Sequence, residues 1–158
     1  MRTAHPKVLG EVLFRPMVLW VADAIQRAGI EHCVAVLGKG HDEVQAILPE
    51  HFAHVIQAER KGTGHAVLMA KEYIRSGGFE DVAVLYGDAP FVLSEDIERA
   101  YEQHKAQNNA VTVFSARLED PAGYGRIVRG TNGVRAIVEH KDADEEILQI
   151  DEVNAGAY

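Results

Sequence analysis

The sequence predicts an α/β fold of the Rossmann-like kind: an open, mostly parallel sheet with helices on both faces, followed by a β-hairpin region. Three observations support this prediction. Strand-like and helix-like segments alternate from about residue 16 to residue 107, with short connections between them. Several of the apolar runs are short and nearly continuous, as expected for strands that are buried on both faces. The alternation then stops, and two apolar runs flank Asn132-Gly133, a pair typical of tight hairpin turns.

The individual elements follow from local patterns. Apolar residues recur at spacings of three and four between Met17 and Ala28, which predicts an amphipathic helix that ends at Gly29. The apolar run at 31–38 predicts a buried strand, and its cysteine, Cys33, is expected to be a small buried hydrophobe. The remaining predicted elements are, in order, a helix at 42–48, a strand at 54–58, a helix at 64–77 stopped by two glycines, a strand at 81–88, a helix at 94–107, a strand at 110–118 and the hairpin at 125–140.

Length and charge limit the classes of function. A chain of 158 residues fits one domain, 1–158, that is large enough to bury a core. The net charge of −8 argues against nucleic acid or an anionic membrane surface as a general partner. No apolar run reaches the roughly 18 residues that span a bilayer, and no signal peptide is recognisable, so a cytoplasmic protein is expected.

Two polar loops follow predicted strands. The letters AERKGTG come after the strand at 53–57, and GDAP comes after the strand at 82–86. Open α/β sheets bind ligands beyond the carboxyl ends of their strands. We therefore expect both loops to lie at one edge of the sheet and to face the same crevice.

Asp88 is the candidate metal ligand. It stands just past Gly87 at the end of the strongest predicted strand. A carboxylate in this position suits Mg²⁺, which takes one or two protein carboxylates and keeps places for water and phosphate oxygens. The alternative interpretation is an Asx-turn residue that shapes the bend before Ala89-Pro90 without binding a ligand.

The segment QAERKGTGHA, residues 57–66, also has two interpretations. It does not match the P-loop pattern. Gly62 and Gly64 precede a helix, where exposed N–H groups can bind an anion or a base carbonyl. Gln57 offers a donor and an acceptor in one plane, which suits the edge of a pyrimidine. Alternatively, the segment is a glycine turn with Thr63 as the N-cap of the helix.

Other motifs point less clearly to chemistry. Lys7 follows a proline and could neutralise a phosphate, or it could be merely solvated. The segment PAGYGRI, 121–127, could be a hinge or a point where the backbone approaches a ligand. His51 and His54 have H-x-x-H spacing, but no second pair of Cys or His completes a zinc site. Cys33 lacks the surroundings of a nucleophile.

Taken in order, the segments HPKVLGEV, QAERKGTGHA, VLYGDAP, DPAGYGRIVR, IVEHKDA and IDEVNAG resemble the uridylyltransferase domain of bacterial GlmU proteins. The combination of GTGHA, GYGRI and EHKDA is more specific to that family than the Gly-Asp alone. The resemblance implies attack of N-acetylglucosamine 1-phosphate on the α-phosphorus of UTP, with Mg²⁺ as cofactor. The products would be pyrophosphate and UDP-N-acetylglucosamine, a cell-wall precursor.

The resemblance also implies a role for each matching residue. Lys7 is expected to contact phosphates and Asp88 to hold Mg²⁺. The other implied contacts are with the base or the sugar: Gln57 and Gly62 read the uracil with Thr63 beside them, Tyr86 and Gly87 line the sugar site, and Gly125, Glu139 and Asn154 bind the N-acetylglucosamine moiety.

The sequence departs from the family pattern at both ends. The family's first strand and its loop of the type L-A-A-G-x-G-T-R-M have no counterpart before MRTAHPK. A second Mg²⁺ ligand, an asparagine further along the chain, and the β-helix domain for acetyl transfer and trimerisation have no counterpart after Tyr158. These departures predict a truncated uridylyltransferase domain. The alternative is a catalytically inactive fragment that keeps part of the sugar pocket.

Overall fold

A computed structural model describes residues 5–38, 40–59, 61–131 and 133–158. The chain divides into two compact units, Met1–Gln103 and His104–Tyr158. Asn132, the predicted hairpin residue, lies outside the described residues. Throughout the part of the chain that is described, none of the helices combines the length and the apolar character needed to cross a membrane.

The first unit alternates strands and helices. A 3₁₀ turn at Lys7–Leu9 precedes the first strand. Its regular elements are, in order, β1 (Glu11–Val12), β2 (Arg15–Pro16), α1 (Met17–Arg27), β3 (Val34–Leu37), α2 (His41–Gln45), β4 (Ala53–Ile56), α3 (Thr63–Met69), α4 (Lys71–Gly77) and α5 (Ser94–Ala106), whose last turn begins the second unit. Strands β3 and β4 pair in parallel, with Val34 opposite Ala53 and Leu37 opposite Ile56. This pair is the parallel sheet predicted from the two apolar runs.

Helix α1 confirms the predicted amphipathic helix. Val21 and Ala24, on its apolar face, are buried. The helix ends where Gly29 takes a φ of 71°, a conformation that glycine adopts without steric cost. At its start, the indole Nε1 of Trp20 donates to the carbonyl of Val12 over 2.9 Å, which fastens the β1–β2 hairpin to the helix.

The guanidinium of Arg15 strengthens the same junction. It donates to both carboxylate oxygens of Asp23 over 2.5 and 2.8 Å, and it lies 5.2 Å from the centre of the Trp20 ring. This bidentate pair raises the pKa of Arg15 and lowers the pKa of Asp23, because each charge is stabilised by its hydrogen-bonded partner.

Two predictions for the first unit are wrong in detail. The run at 82–86 is not a strand, because among the described residues it joins no backbone ladder, and Val82 remains 47% exposed. The helix predicted over 64–77 is two helices, α3 and α4, that meet at the buried residue Ala70.

The second unit is a four-stranded antiparallel sheet. Its elements are β5 (Ser115–Arg117), β6 (Arg126–Gly130), β7 (Gly133–Val138), the short helix α6 (Glu145–Leu148) and β8 (Glu152–Asn154), in the spatial order β5-β8-β6-β7. Ile127 of β6 and Val153 of β8 are each 1% exposed and form its centre. Pairing of β6 with β7 confirms the predicted hairpin. The strand predicted at 110–118 is shorter than expected, because only 115–117 joins the sheet as a regular strand.

Candidate functional site

Lys7 and Asp88 form an ion pair within the first unit. The Nζ of Lys7 donates to Oδ2 of Asp88 over 2.7 Å. The lysine side chain is 78% exposed and the aspartate side chain 32% exposed, so ligands in solution can reach both charges. The structure thus joins the predicted phosphate contact and the predicted metal ligand, which are 81 residues apart in sequence.

Gly87 allows this pair to form. A Cβ at this position would lie 3.3 Å from Cγ1 of Val8 and 3.6 Å from Cγ2 of Val18. The turn that carries Asp88 therefore packs closely against the segment that carries Lys7. The turn itself is closed by the amide of Ala89, which donates to the carbonyl of Tyr86 over 3.1 Å. Tyr86, predicted to line the sugar site, is half-buried beside it.

Asp88 meets the chemical requirement for Mg²⁺. One oxygen accepts from Lys7, and the carboxylate presents a hard donor at a turn that solvent reaches. No group of three or more His, Cys, Asp or Glu side chains suited to a metal occurs among the described residues. A single carboxylate nevertheless fits an ion that takes most of its ligands from water and substrate phosphates.

Gln57 and Gly62 meet at the carboxyl end of the parallel pair. The amide of Gln57 donates to the carbonyl of Leu37 over 2.8 Å, one step beyond the paired strands. Its side-chain Nε2 contacts the carbonyl of Gly62 at 3.2 Å and Nδ1 of His65 at 2.9 Å. His65 was not predicted as a functional residue, although it belongs to the GTGHA segment.

The alternative interpretation, in which Thr63 is the N-cap of α3, is wrong by one residue. The N-cap is Gly62, and Thr63 is the first residue of the helix, without a side-chain capping bond. Gly62 has φ 93° and ψ 176°, which a residue with a Cβ rarely adopts. Glycine is therefore required at the point where the loop turns into α3.

Gly125, Glu139 and Asn154 lie together in the second unit. The amide of Asn154 donates to the carbonyl of Gly125 over 2.8 Å. A Cβ on Gly125 would lie 3.5 Å from Oε1 of Glu139 and 3.3 Å from Cγ2 of Ile137. The three residues that were assigned to the sugar by resemblance are thus neighbours in space.

The side chain of Asn154 is held at both ends of its amide. Its Nδ2 donates to the hydroxyl of Tyr158 over 2.7 Å, and its Oδ1 accepts from the amide of Gly156 over 3.1 Å. One amide hydrogen and one lone pair remain, because an asparagine amide offers two of each. Asn154 therefore presents an amide of fixed direction, whereas Glu139 presents an exposed carboxylate.

Two buried charges of the second unit were not predicted. Arg126 is 2% exposed, and its Nη1 donates to the carbonyls of Pro121 and Tyr124 over 2.7 and 2.5 Å. Its Nε is buried without a hydrogen-bond partner among the described residues. Arg126 thereby fixes the loop that leads into Gly125. The GYGRI segment contains this arginine, but sequence alone predicts that an arginine on a hairpin strand is exposed to solvent.

Glu152 is the second buried charge. Arg129 donates to both of its carboxylate oxygens, over 2.8 Å from Nε and 2.6 Å from Nη2, and Ser115 donates to Oε1 over 2.6 Å. These hydrogen bonds, those from Arg129 first, lower the pKa of Glu152 to about 2 despite its burial.

Cys33 is half-buried and not fully buried as predicted. Burial raises the pKa of its thiol to about 11, so the thiolate that nucleophilic chemistry requires is scarce.

Comparison with known proteins shows the family of the chain. A family model for MobA-like NTP transferase domains matches residues 1–148. The chain is 44% identical over 161 residues to bifunctional protein GlmU of Cutibacterium acnes, a match that covers 100% of this chain and 38% of that protein. It is 40% identical over 159 residues to bifunctional protein GlmU of Caldanaerobacter subterraneus subsp. tengcongensis, covering 100% of the chain and 34% of the relative. The chain therefore spans about a third of the length of the curated relatives it matches.

The fold is shared with a solved structure of a nucleotidyltransferase. UDP-glucose pyrophosphorylase from Acinetobacter baumanii matches with a TM-score of 0.75 and 22% identity, over 99% of this chain and 67% of that one. This likeness confirms the predicted α/β nucleotidyltransferase fold.

Proposed function

The chain belongs to the family of MobA-like NTP transferase domains, and we propose on that premise that it transfers a uridylyl group from UTP to N-acetylglucosamine 1-phosphate. The identities of 40% and 44% to GlmU proteins, each across the whole chain, support this choice of substrates. The products are UDP-N-acetylglucosamine and pyrophosphate, and the reaction would supply cell-wall precursors in the cytoplasm.

The observation that carries the proposal is the exposed ion pair between Lys7 and Asp88. Both substrates are anions, so their approach requires positive charge near the phosphates. In the substrate complex, Lys7 would turn from Asp88 to a phosphate oxygen, a movement that its exposed and flexible side chain permits.

The reaction requires no nucleophile from the protein. An oxygen of the sugar phosphate forms a bond to the α-phosphorus of UTP, and the bond from that phosphorus to the β-phosphate oxygen breaks. The attacking oxygen is already ionised, so no general base removes a proton. The protein contributes by holding the two phosphates in line and by offsetting their repulsion. The raised pKa of the half-buried Cys33 thiol agrees with a reaction that uses no protein nucleophile.

Asp88 would hold Mg²⁺, the ion we assign to a family that generally uses a divalent metal. When bound, Mg²⁺ supplies charge neutralisation at the phosphate oxygens. Asp88 has two oxygens, of which Oδ2 accepts from Lys7, so the carboxylate retains capacity for a cation.

The remaining residues have binding roles in this proposal. Gln57, Gly62 and Thr63 would contact the uracil, and Tyr86 and Gly87 would line the sugar site. In the second unit, Gly125 places backbone without a side chain beside Glu139, whose carboxylate would accept hydrogen bonds from sugar hydroxyls. Asn154 would add an amide contact to the N-acetylglucosamine moiety.

Replacement of Asp88 tests the proposed function. We expect Asp88→Ala to lower kcat at least about 100-fold in a pyrophosphate-release assay with UTP, N-acetylglucosamine 1-phosphate and Mg²⁺, because a preorganised charge at the phosphates is lost. Asp42→Ala is the matched control, since Asp42 is a highly exposed aspartate of the same unit. Near-normal turnover of Asp88→Ala, or no turnover of the unaltered chain with these substrates, would contradict the proposal.

A further inference from the structure

We propose that His65 sets the base specificity of the nucleotide site by fixing the direction of the Gln57 side-chain amide. The inference rests on the proposed function, in which Gln57 contacts the base of the nucleotide. It extends that function by assigning a specificity-determining role to a histidine that itself need not touch the substrate.

The identity of the amide atom follows from its neighbours. The side-chain Nε2 of Gln57 lies 3.2 Å from the carbonyl oxygen of Gly62 and 2.9 Å from Nδ1 of His65. A carbonyl oxygen only accepts hydrogen bonds, so the amide nitrogen must face Gly62, and its second hydrogen points to His65. Nδ1 of His65 is then an acceptor, and the proton of the neutral ring is on Nε2.

Two different backbone elements hold the two acceptors. Gly62 ends the loop and has φ 93°, and His65 is the third residue of α3. Gln57 itself is anchored where β4 ends, through the bond from its amide to the carbonyl of Leu37. The amide group is therefore clamped between a glycine turn and the first turn of a helix.

With the amide nitrogen held in this way, Oε1 is the atom of the Gln57 amide that can accept a hydrogen bond from a ligand. Both amide hydrogens are used, and Oε1 has no hydrogen-bond partner among the described residues. An oxygen acceptor attracts a base that presents a ring N–H, as uracil and thymine do at N3. Cytosine presents an unprotonated N3 at the same position, so the two lone pairs would repel each other. The geometry thus favours uracil or thymine over cytosine.

His65 is essential to this preference because Gly62 alone supplies a single bond to the amide. Without the imidazole, the amide keeps only its bond to Gly62, so its plane can swing about that bond and Oε1 no longer has a fixed direction toward the base. A mobile acceptor discriminates less strongly between the ring N–H of uracil and the unprotonated N3 of cytosine. Discrimination through hydrogen-bond direction depends on the polar group being unable to turn.

The experiment compares kcat/KM for UTP and for CTP at saturating N-acetylglucosamine 1-phosphate and Mg²⁺. We expect His65→Ala to lower the UTP-to-CTP ratio about 3–10-fold, the effect of one net hydrogen bond, while KM for the sugar phosphate stays unchanged. Alanine is a strong helix former, so α3 is retained. His65→Asn places an acceptor oxygen near the position of Nδ1 and should keep most of the ratio. His54→Ala, which removes an exposed histidine of β4, is the matched control and should keep all of it.

The outcomes separate the two proposals. An unchanged UTP-to-CTP ratio in an active His65→Ala protein would overturn the role of His65 and leave uridylyl transfer intact. Equal losses in His65→Asn and His65→Ala would also overturn it, since the acceptor atom would then be irrelevant. Absence of transfer from UTP by the unaltered chain would overturn the proposed function and this inference together.

Discussion

At the scale of single residues, the surroundings of three carboxylates indicate which of them can bind a ligand and which one stabilises the fold. Asp88 is partly exposed and holds one lysine, so its charge remains accessible to a ligand. Glu139 is exposed beside a glycine. Glu152 is buried and its oxygens are taken by Arg129 and by a serine. Removal of the first two charges should therefore change ligand binding, whereas removal of the third should change folding.

Glu139→Ala should raise KM for N-acetylglucosamine 1-phosphate about tenfold and leave KM for UTP almost unchanged. The reason is that, in the proposed function, the hydroxyls of the sugar are the groups that donate to this carboxylate, and a charged hydrogen bond is worth about 1.5–3 kcal/mol. Initial rates at varied concentrations of each substrate check the split. Glu145→Ala is the control, since it removes an exposed carboxylate of α6. Equal rises of KM for both substrates in Glu139→Ala would contradict the role of Glu139.

Glu152→Gln should destabilise the folded chain by about 2 kcal/mol at pH 7, because Arg129 loses its buried partner charge. The pKa of Glu152 is lowered from 4.5 to about 2, so its carboxylate stabilises the fold above pH 4.5 and loses this effect as the pH falls towards 2. The gap in urea midpoint between the unaltered protein and the variant should narrow across that window. If the difference in urea midpoint stays constant between pH 7 and pH 2.5, the charge of Glu152 is not its cause. Glu146→Gln, at an exposed position of α6, is the control.

At the scale of elements, the hairpin of β1 and β2 contains an unfavourable turn. Its two connecting residues, Leu13 and Phe14, have φ of 51° and 62°, although neither is glycine. Side chains with a Cβ rarely adopt this region, and two-residue hairpin turns favour Asn-Gly instead. Leu13 and Phe14 are 75% and 96% exposed, so packing of their side chains does not offset the backbone strain.

Leu13→Asn combined with Phe14→Gly should therefore stabilise the chain by about 1–2 kcal/mol, measured as a higher urea midpoint. Phe91→Gly is the matched control, since Phe91 is also highly exposed but its φ is not positive. The control should gain nothing and lose some stability from the added freedom of the unfolded chain. A gain in the control equal to that of the turn variant would show that removal of an exposed phenylalanine, and not turn geometry, is responsible.

The same elements show what the sequence could predict. Helix α1 and the β6–β7 hairpin were predictable, because a 3.6-residue period and a turn dipeptide are local signals. The run at 82–86 has the composition of a strand, but a strand also requires a neighbouring backbone, and local composition does not report one. Lys7 and Asp88 were each singled out in the sequence, but their contact was not predicted, because it joins residues 81 positions apart. Arg126 and Glu152 were missed because burial of a charge depends on partners distant in sequence.

At the scale of the whole molecule, the net charge of −8 opposes the anionic ligands that the proposed function requires. In the proposed function, binding must then depend on local groups such as Lys7 and on the cation proposed at Asp88, because charges beyond about 10 Å are screened at ordinary ionic strength. Binding of the ligand and of the cation should therefore stabilise the folded chain, since a ligand that binds the folded state raises the free energy of unfolding.

UDP-N-acetylglucosamine with Mg²⁺ should consequently raise Tm, by an amount that corresponds to about 2.7 kcal/mol when the ligand is at 100 times its Kd. The rise should continue logarithmically with ligand concentration. In Asp88→Ala, Mg²⁺ should add nothing to the effect of the nucleotide sugar, because the proposed cation ligand is gone. Differential scanning fluorimetry with and without EDTA measures both effects, and ATP with Mg²⁺ is the control ligand, since a purine does not match the edge that Gln57 presents. An equal shift with ATP would mean that the stabilisation comes from phosphate binding alone and that the base is not read.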